Sequence, residues 1–319
     1  MTKRWPAMAG ALLVVCADPN NLPFSNQSQQ GLENKLAALL AKDMGAKVSY
    51  VWWAQRRGYV RHTLNEEKCD IWPGVATGVG MVATTRPYYR STYVFVTRVD
   101  KPLNGLTLDD ERLRSLSIGV QMIGDNAMNT PPAHALSRRG LIQNVRGYML
   151  YGDYTHPNPP AAIMDAVAKG DIDVAMVWGP LAGYFANRSL TPLRLEPVKP
   201  ALDGSQWPMT YDISIGVRRD RPALREQIDG LLMRERPAIT ELLRDYHIPS
   251  AGTTQTGDIN MSGKTEGKKS GVQDTPGRPD SASSRQQTQP DQGSQTGAPE
   301  IDSKAKGPPS STPHVRNEK

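Results

Sequence analysis

Leu12-Leu13-Val14-Val15-Cys16-Ala17, closed by Asp18-Pro19-Asn20-Asn21, is the stretch from which the fold is read. A short apolar run stopped by a cluster of turn formers has the length of a buried strand. Lys3 and Arg4 ahead of the apolar run from Ala7 to Ala17 imitate a secretory leader. The strand reading is preferred because it begins a repeating pattern. Gly31 to Met44 reads as an amphipathic helix with Leu32, Leu36, Leu39, Leu40 and Met44 on one face and Gly45 as its stop. Lys47 to Trp53 is a strand, residues 58–68 a helix, and Cys69-Asp70-Ile71-Trp72-Pro73-Gly74 a third short strand. Strands alternating with helices argue for a parallel sheet with crossover helices.

The alternation restarts further on. Residues 92–98 form a strand, Leu116 to Gln121 another, 131–139 a helix opened by proline, and Val145 to Leu150 a strand. Residues 160–169 are a helix and Ile172 to Gly179 a strand; Asp212 to Arg218 is the last strand, followed by helices at 222–235 and 237–246. Cys69-Asp70-Ile71, leading to Gly74, is echoed by Ile172-Asp173-Val174, leading to Gly179. Two similar α/β lobes account for the echo. Lobe one is expected over 11–97 and 212–250 and lobe two over 98–211, with an N-terminal extension at 1–10.

Composition sets the limits. The 319 residues carry a formal charge of +6 and are 38% apolar, low for a globular chain. Residues 251–319 hold no aromatic side chain and are rich in Gly, Ser, Thr, Gln and Pro. They bury too little surface to offset ordering, so a disordered C-terminal tail is expected there. That leaves about 250 residues for the folded part, with most of the net charge, enough for two cores. No apolar run reaches the length of about 18 that a membrane helix needs. Cys16 and Cys69 are the two cysteines, which excludes a cysteine-rich zinc module. The modest charge does not imply nucleic acid.

Ligands of open α/β sheets sit beyond the carboxyl ends of the strands. Here those ends carry Asp18, Asn20, Asn21 and Phe24; Trp52, Trp53, Arg56 and Arg57; Gln121 and Asp125; and Trp178. Trp and Arg are the types most enriched at interface hot spots. The competing reading is that one Trp alternates into the core and the arginines are solvated. Arg86-Pro87-Tyr88-Tyr89 leads into the strand that crosses between lobes. Tyr88 and Tyr89 are expected to face the crevice, with Arg86 on an acidic group; the alternative is hinge packing and a surface Arg. Asp18, Asn20 and Asn21 either offer polar contacts or build an Asx-type turn. His62, His134, His156, His247 and His314 lack ligand spacing, so no metal is expected. No P-loop, GxGxxG or GxSxG pattern is present.

Several segments together carry a resemblance. They are Val15-Cys16-Ala17-Asp18-Pro19-Asn20-Asn21-Leu22-Pro23-Phe24-Ser25-Asn26, Trp52-Trp53-Ala54-Gln55-Arg56-Arg57-Gly58, Thr84-Thr85-Arg86-Pro87-Tyr88-Tyr89-Arg90-Ser91, Ile118-Gly119-Val120-Gln121 and Val177-Trp178-Gly179-Pro180-Leu181. In this order they resemble a type II periplasmic solute-binding protein, a two-lobed α/β fold with an inter-lobe cleft. Within it they resemble the MoxJ/XoxJ group, encoded beside quinoprotein methanol dehydrogenases. The resemblance spans about 12–248 and leaves the tail outside. It implies a periplasmic protein that partners a pyrroloquinoline-quinone-dependent alcohol dehydrogenase in maturation or activation, with no catalysis and no cofactor of its own. The alternative is an ABC-transporter receptor for a small molecule.

The chain departs from the amino-acid-binding members of that fold. Their carboxylate-clamping Arg, nine residues before a Pro-Tyr pair, is replaced by Gly78 ahead of Pro87. A Gly-Thr or Gly-Ser that donates to the same carboxylate is replaced by Gly124-Asp125, and an Asp there repels an anion. The Asp that pairs with the ligand ammonium is replaced by Trp178. These changes argue against a free α-amino acid and favour an apolar partner segment or solute. Cys16 and Cys69 stand on neighbouring strands of this fold. An oxidising periplasm favours pairing, the offset along the strands opposes it, and both readings stay open.

Overall fold

Residues 11–56, 58–122, 129–149 and 156–249 are described by a computed structural model. The expected extension at 1–10, the tail at 251–319, Arg57 and Asp125 lie outside them.

Strand β1 (Leu12–Ala17) runs into a turn carrying the short bridges β2 (Asn20–Asn21) and β3 (Ser25–Asn26), then helix α1 (Leu32–Met44). The N-terminus of α1 is closed by Asn34, whose Oδ1 accepts the Gly31 N–H at 3.0 Å, and its end by Gly45 at φ 66°. β4 (Lys47–Trp52), α2 (Tyr59–His62), β5 (Ile71–Ala76) and β6 (Ala83–Thr84) follow. β7 (Tyr89–Arg98) leaves lobe one, and β8 (Ile118–Met122), α3 (Pro131–Arg138), β9 (Val145–Met149), α4 (Ala162–Lys169), β10 (Val174–Trp178), α5 (Gly179–Ala186) and β11 (Leu193–Pro197) build lobe two. After the hairpin of β12 (Leu202–Asp203) and β13 (Trp207–Pro208), β14 (Thr210–Val217) returns and α6 (Pro222–Arg234) and α7 (Arg236–Asp245) complete lobe one.

The strands run in the order β4-β1-β5-β14-β7-β10-β8-β9, with β6 beside β14 and β11 beside β7. β1 is parallel to β4 and β5, and β8 is parallel to β9 and β10, so each lobe has the parallel centre that the alternation required. β7 changes partners along its length. Tyr89 to Thr92 pair with Ile213 to Thr210, and Tyr93 to Thr97 pair with Trp178 to Val174.

Strand alternation explains the cores. In lobe one, Leu13, Val15, Ile215 and Val217 meet Leu36 and Leu40 of α1 and Ile228, Leu231 and Ile239 of α6 and α7. The opposite face meets Tyr59, Val60 and Leu64. In lobe two, Phe95 points into one core with Leu113 and Leu136, while Val94 and Val96 point into the other with Ile163, Val167 and Leu181.

The internal echo is a real structural repeat. Val14 N–H donates to Asp70 Oδ2 at 2.9 Å, and Asp70 N–H returns to Val14 O at 2.8 Å. In lobe two, Ser117 N–H donates to Asp173 Oδ2 at 2.8 Å, and Asp173 N–H returns to Ser117 O at 2.9 Å. Each Asp clips the first strand of its lobe to the start of the third.

Two expectations change. The helix expected over 58–68 is only α2, Tyr59–His62. Thr63 Oγ1 donates back to Tyr59 O at 2.6 Å and the chain turns through Lys68. That turn brings Cys69 to Cys16, where the two form a disulfide with Cα atoms 5.5 Å apart. The offset along the strands therefore does not prevent pairing, because Cys69 lies on the returning turn ahead of β5. The second change is α5, which begins at Gly179 directly after β10, where the sequence suggested only a strand end.

Candidate functional site

Asp18 organises the ends of β1 and β4. Its Oδ1 accepts Asn20 N–H at 2.8 Å, an Asx turn, and its Oδ2 accepts Gln55 N–H at 2.9 Å. Asn21 Nδ2 then reaches Gln55 Oε1 at 3.1 Å. Asn20 ties this edge to the 156–158 segment. Its Nδ2 donates to His156 O at 2.8 Å, and its Oδ1 accepts Asn158 N–H at 3.2 Å. The three polar residues expected at this edge are thus brought together, and the structure uses them to hold loops and lobes.

At the centre sits an aromatic group. Tyr88 and Tyr89 meet edge to face, with ring centroids 5.0 Å apart. Trp178 packs edge-on against Tyr93 at 5.1 Å and against Tyr211 at 6.0 Å. Trp178 and Tyr211 both touch the cores of both lobes, so this group is where the lobes share packing. Gln121 is buried; its Oε1 accepts the Trp178 backbone N–H at 2.9 Å and fixes where β10 ends.

Glu33 is a residue of this site that sequence reasoning missed. It lies in the first turn of α1 and is 4% exposed. Burial, and after it the nearby Asp18 carboxylate, push its carboxyl up to about 8. A protonated Glu33 is therefore the major form at neutral pH. Gly74, at φ 80°, passes so close that any side chain there would run into Glu33 Oε1. Tyr88 and Tyr89 are shifted upward by burial first, and both also feel Glu33. An acidic residue at a helix start ordinarily reads as a partner of the helix dipole; the signal that identifies this one is its position on the buried side of α1.

Other expected residues stand apart. Trp52 is half-buried and stacks on Tyr50 at 4.6 Å, whereas Trp53 is 40% exposed and lies over His62 at 5.5 Å with Lys68 Nζ 5.7 Å from its ring. Alternation along the strand thus separates the two tryptophans. Phe24 is half-buried, and its carbonyl accepts Glu33 N–H at 2.8 Å, which holds the start of α1. Arg56 is exposed. Arg86 is not with Tyr88 and Tyr89: its N–H donates to Asp229 Oδ1 at 2.6 Å and its Nη1 to Met233 Sδ at 3.4 Å, both on α6. Among the described residues no group of three or more His, Cys, Asp or Glu is placed to hold a metal ion, and no helix is long and apolar enough to cross a membrane.

With these lobes described, the chain can be set beside known proteins. Protein MoxJ of Methylorubrum extorquens is 34% identical over 253 residues, covering 76% of this chain and 82% of that protein. The chain belongs to the MoxJ family. The crystal structure of the periplasmic binding protein XoxJ from Methylobacterium extorquens AM1 is 33% identical, with a TM-score of 0.61 over 76% of this chain and all of that one. That of MxaJ from Methlophaga aminisulfidivorans MPT is 27% identical, with a TM-score of 0.63 over 74% of this chain and 99% of that one. No family model matches the chain. The two-lobed fold expected of a MoxJ/XoxJ-type protein is therefore the fold of this chain.

Proposed function

We propose that the chain is a non-catalytic periplasmic accessory protein of a pyrroloquinoline-quinone-dependent alcohol dehydrogenase, and that it holds a segment of that enzyme in the inter-lobe cleft. The observation that carries the reading is Trp178. It stands at the end of β10 and packs with Tyr93 and Tyr211. Gly78 replaces the carboxylate clamp of the amino-acid receptors. Aromatic area with few charged groups suits a protein segment, since such side chains bring contact area at low entropic cost. Membership of the MoxJ family supports the choice of partner, because the resemblance ties that group to quinoprotein dehydrogenases.

Deleting the protein from its host and measuring alcohol oxidation and quinone occupancy of the dehydrogenase tests the role. Loss of either is expected; normal values of both would overturn it.

A further inference from the structure

The sequence contains one Asn-Gly pair, Asn104-Gly105. It forms a turn between β7 and β8, flanked by Leu103 and Leu106, which are buried in the core of lobe two. Asn104 and Gly105 are themselves exposed. Gly105 has φ 69°, and a Cβ built there would meet nothing within 4 Å, so this side of the turn is uncrowded. Among the described residues the side-chain amide of Asn104 makes no hydrogen bond.

The peptide group between the two residues is held at both ends. Its N–H donates to both carboxylate oxygens of Glu196, at 3.0 Å to Oε2 and 3.2 Å to Oε1. Its carbonyl, Asn104 O, accepts from Arg112 Nη2 at 3.2 Å. Arg112 is fixed in turn by Asp110, whose Oδ1 accepts Nε at 3.0 Å and whose Oδ2 accepts Nη2 at 2.6 Å. A cation on the carbonyl oxygen draws electron density away from the nitrogen and makes its proton more acidic. A carboxylate on that proton is placed to take it. The two effects reinforce each other through one amide. Glu196 also lies within the reach of about 2.6–3.2 Å that a general base needs.

We propose that Asn104-Gly105 is a self-modifying site, at which the fold converts Asn104 to aspartate and isoaspartate without a separate enzyme. Glu196 accepts the Gly105 amide proton, and the Gly105 nitrogen forms a bond to Cγ of Asn104. The Cγ–Nδ2 bond breaks, and Nδ2 leaves as ammonia with the proton that Glu196 took. The cyclic imide left behind adds one water at either carbonyl and opens to an aspartyl or an isoaspartyl residue. Water is the one co-reactant, and nothing is oxidised or reduced. Either product sets a second carboxylate beside Glu196, and repulsion between like charges loosens the clip on the turn ahead of Leu106 and Leu108. The site stands independently of what occupies the inter-lobe cleft.

The test incubates the full chain at neutral pH and follows the fragment containing Asn104 by mass spectrometry, with isoaspartate counted by enzymatic methylation. A synthetic peptide of residues 101–108 gives the rate of the same Asn-Gly pair without Glu196 and Arg112. The native chain should convert at least about tenfold faster than the peptide, as a positioned general base requires. Its rate should rise less steeply with pH than the peptide's, because a carboxylate rather than hydroxide removes the proton. Glu196→Gln should bring the rate down to that of the peptide, Glu196→Asp should restore part of it, and Arg112→Gln should slow it in part, with circular dichroism confirming each fold. Conversion of the native chain no faster than the peptide would overturn the proposal. So would a Glu196→Gln variant that converts as fast as the native chain or faster, since the clip would then only hold the turn. The comparison of native chain with peptide needs no variant and decides even where one fails to fold.

Discussion

Asn158 donates its backbone N–H to the side-chain oxygen of Asn20, 3.2 Å away on the other lobe. Asn20 answers with its own amide to His156 O, so a single side chain satisfies two backbone groups of lobe two. Each such bond is worth about 1 kcal/mol net. Asn20→Ala is therefore expected to speed amide exchange in residues 156–161 about tenfold, read by hydrogen–deuterium exchange. Unchanged exchange there would show that the bridge does not hold the lobes together.

Glu33 makes stability depend on pH in the direction opposite to most carboxylates. Its folded-state pKa of about 8 lies above the ordinary 4.5, so the folded state binds the proton more tightly than the unfolded one. The stabilisation is complete below 4.5 and is lost as pH rises through 8. Its slope is at most about 1.4 kcal/mol per pH unit. Glu33→Gln should remove this slope, and urea unfolding of both proteins at several pH values between those limits measures it. A wild-type midpoint that does not fall relative to the variant over that range contradicts the assignment.

The Cys16–Cys69 bond closes a loop of 53 residues by sequence separation. Loop-closure entropy assigns it about 4 kcal/mol. The double variant Cys16→Ala, Cys69→Ala should lose a comparable amount in urea unfolding, and the native protein should react with no thiol reagent until reduced. Two titratable thiols in the untreated, unfolded protein would show the bond is not formed.

Gly183 of α5 lies under the chain that leaves α7. A methyl group at 183 would collide with the His247 carbonyl, and Ser91 Oγ donates to Pro249 O at 2.9 Å close by. Tyr184 and Tyr246 stack at 5.7 Å across the same contact. Gly183→Ala should cost about 1–3 kcal/mol through overpacking and expose residues 246–249 to proteolysis. Wild-type melting and protease resistance would show that the segment adapts freely.

The fold was legible in sequence because its signals are local and repeated. The alternation of apolar strands and amphipathic helices set the two lobes, and the paired Asp70 and Asp173 marked corresponding strand starts whose clips have the same geometry. The site was legible only in part. Asp18, Asn20, Asn21, Tyr88, Tyr89, Gln121 and Trp178 do gather around the strand ends, but Asn20 and Gln121 spend their side chains on backbone groups, which no sequence pattern reveals. For Arg86 the surface position, one of the two readings left open, is the one the structure shows; sequence could not choose because the direction of a residue ahead of a strand depends on α6, which arrives far later in the chain. Glu33 was missed because its environment is made by Gly74, Tyr88 and Tyr89 from other segments. The end of α2 was overrun because helical propensity continues past His62 while the Cys16–Cys69 bond requires a turn.

On the proposed function, the aromatic centre receives the partner. Calorimetric titration of the purified dehydrogenase into this protein tests it, using the native chain, Trp178→Ala, Tyr211→Ala and, as a control, the fully exposed position 190 changed by Leu190→Ser, all checked for folding by circular dichroism. Saturable binding to the native chain and to Leu190→Ser, weakened at least about tenfold by either aromatic variant, is the predicted result. Binding that both aromatic variants retain in full, or no binding by the native chain, would contradict it.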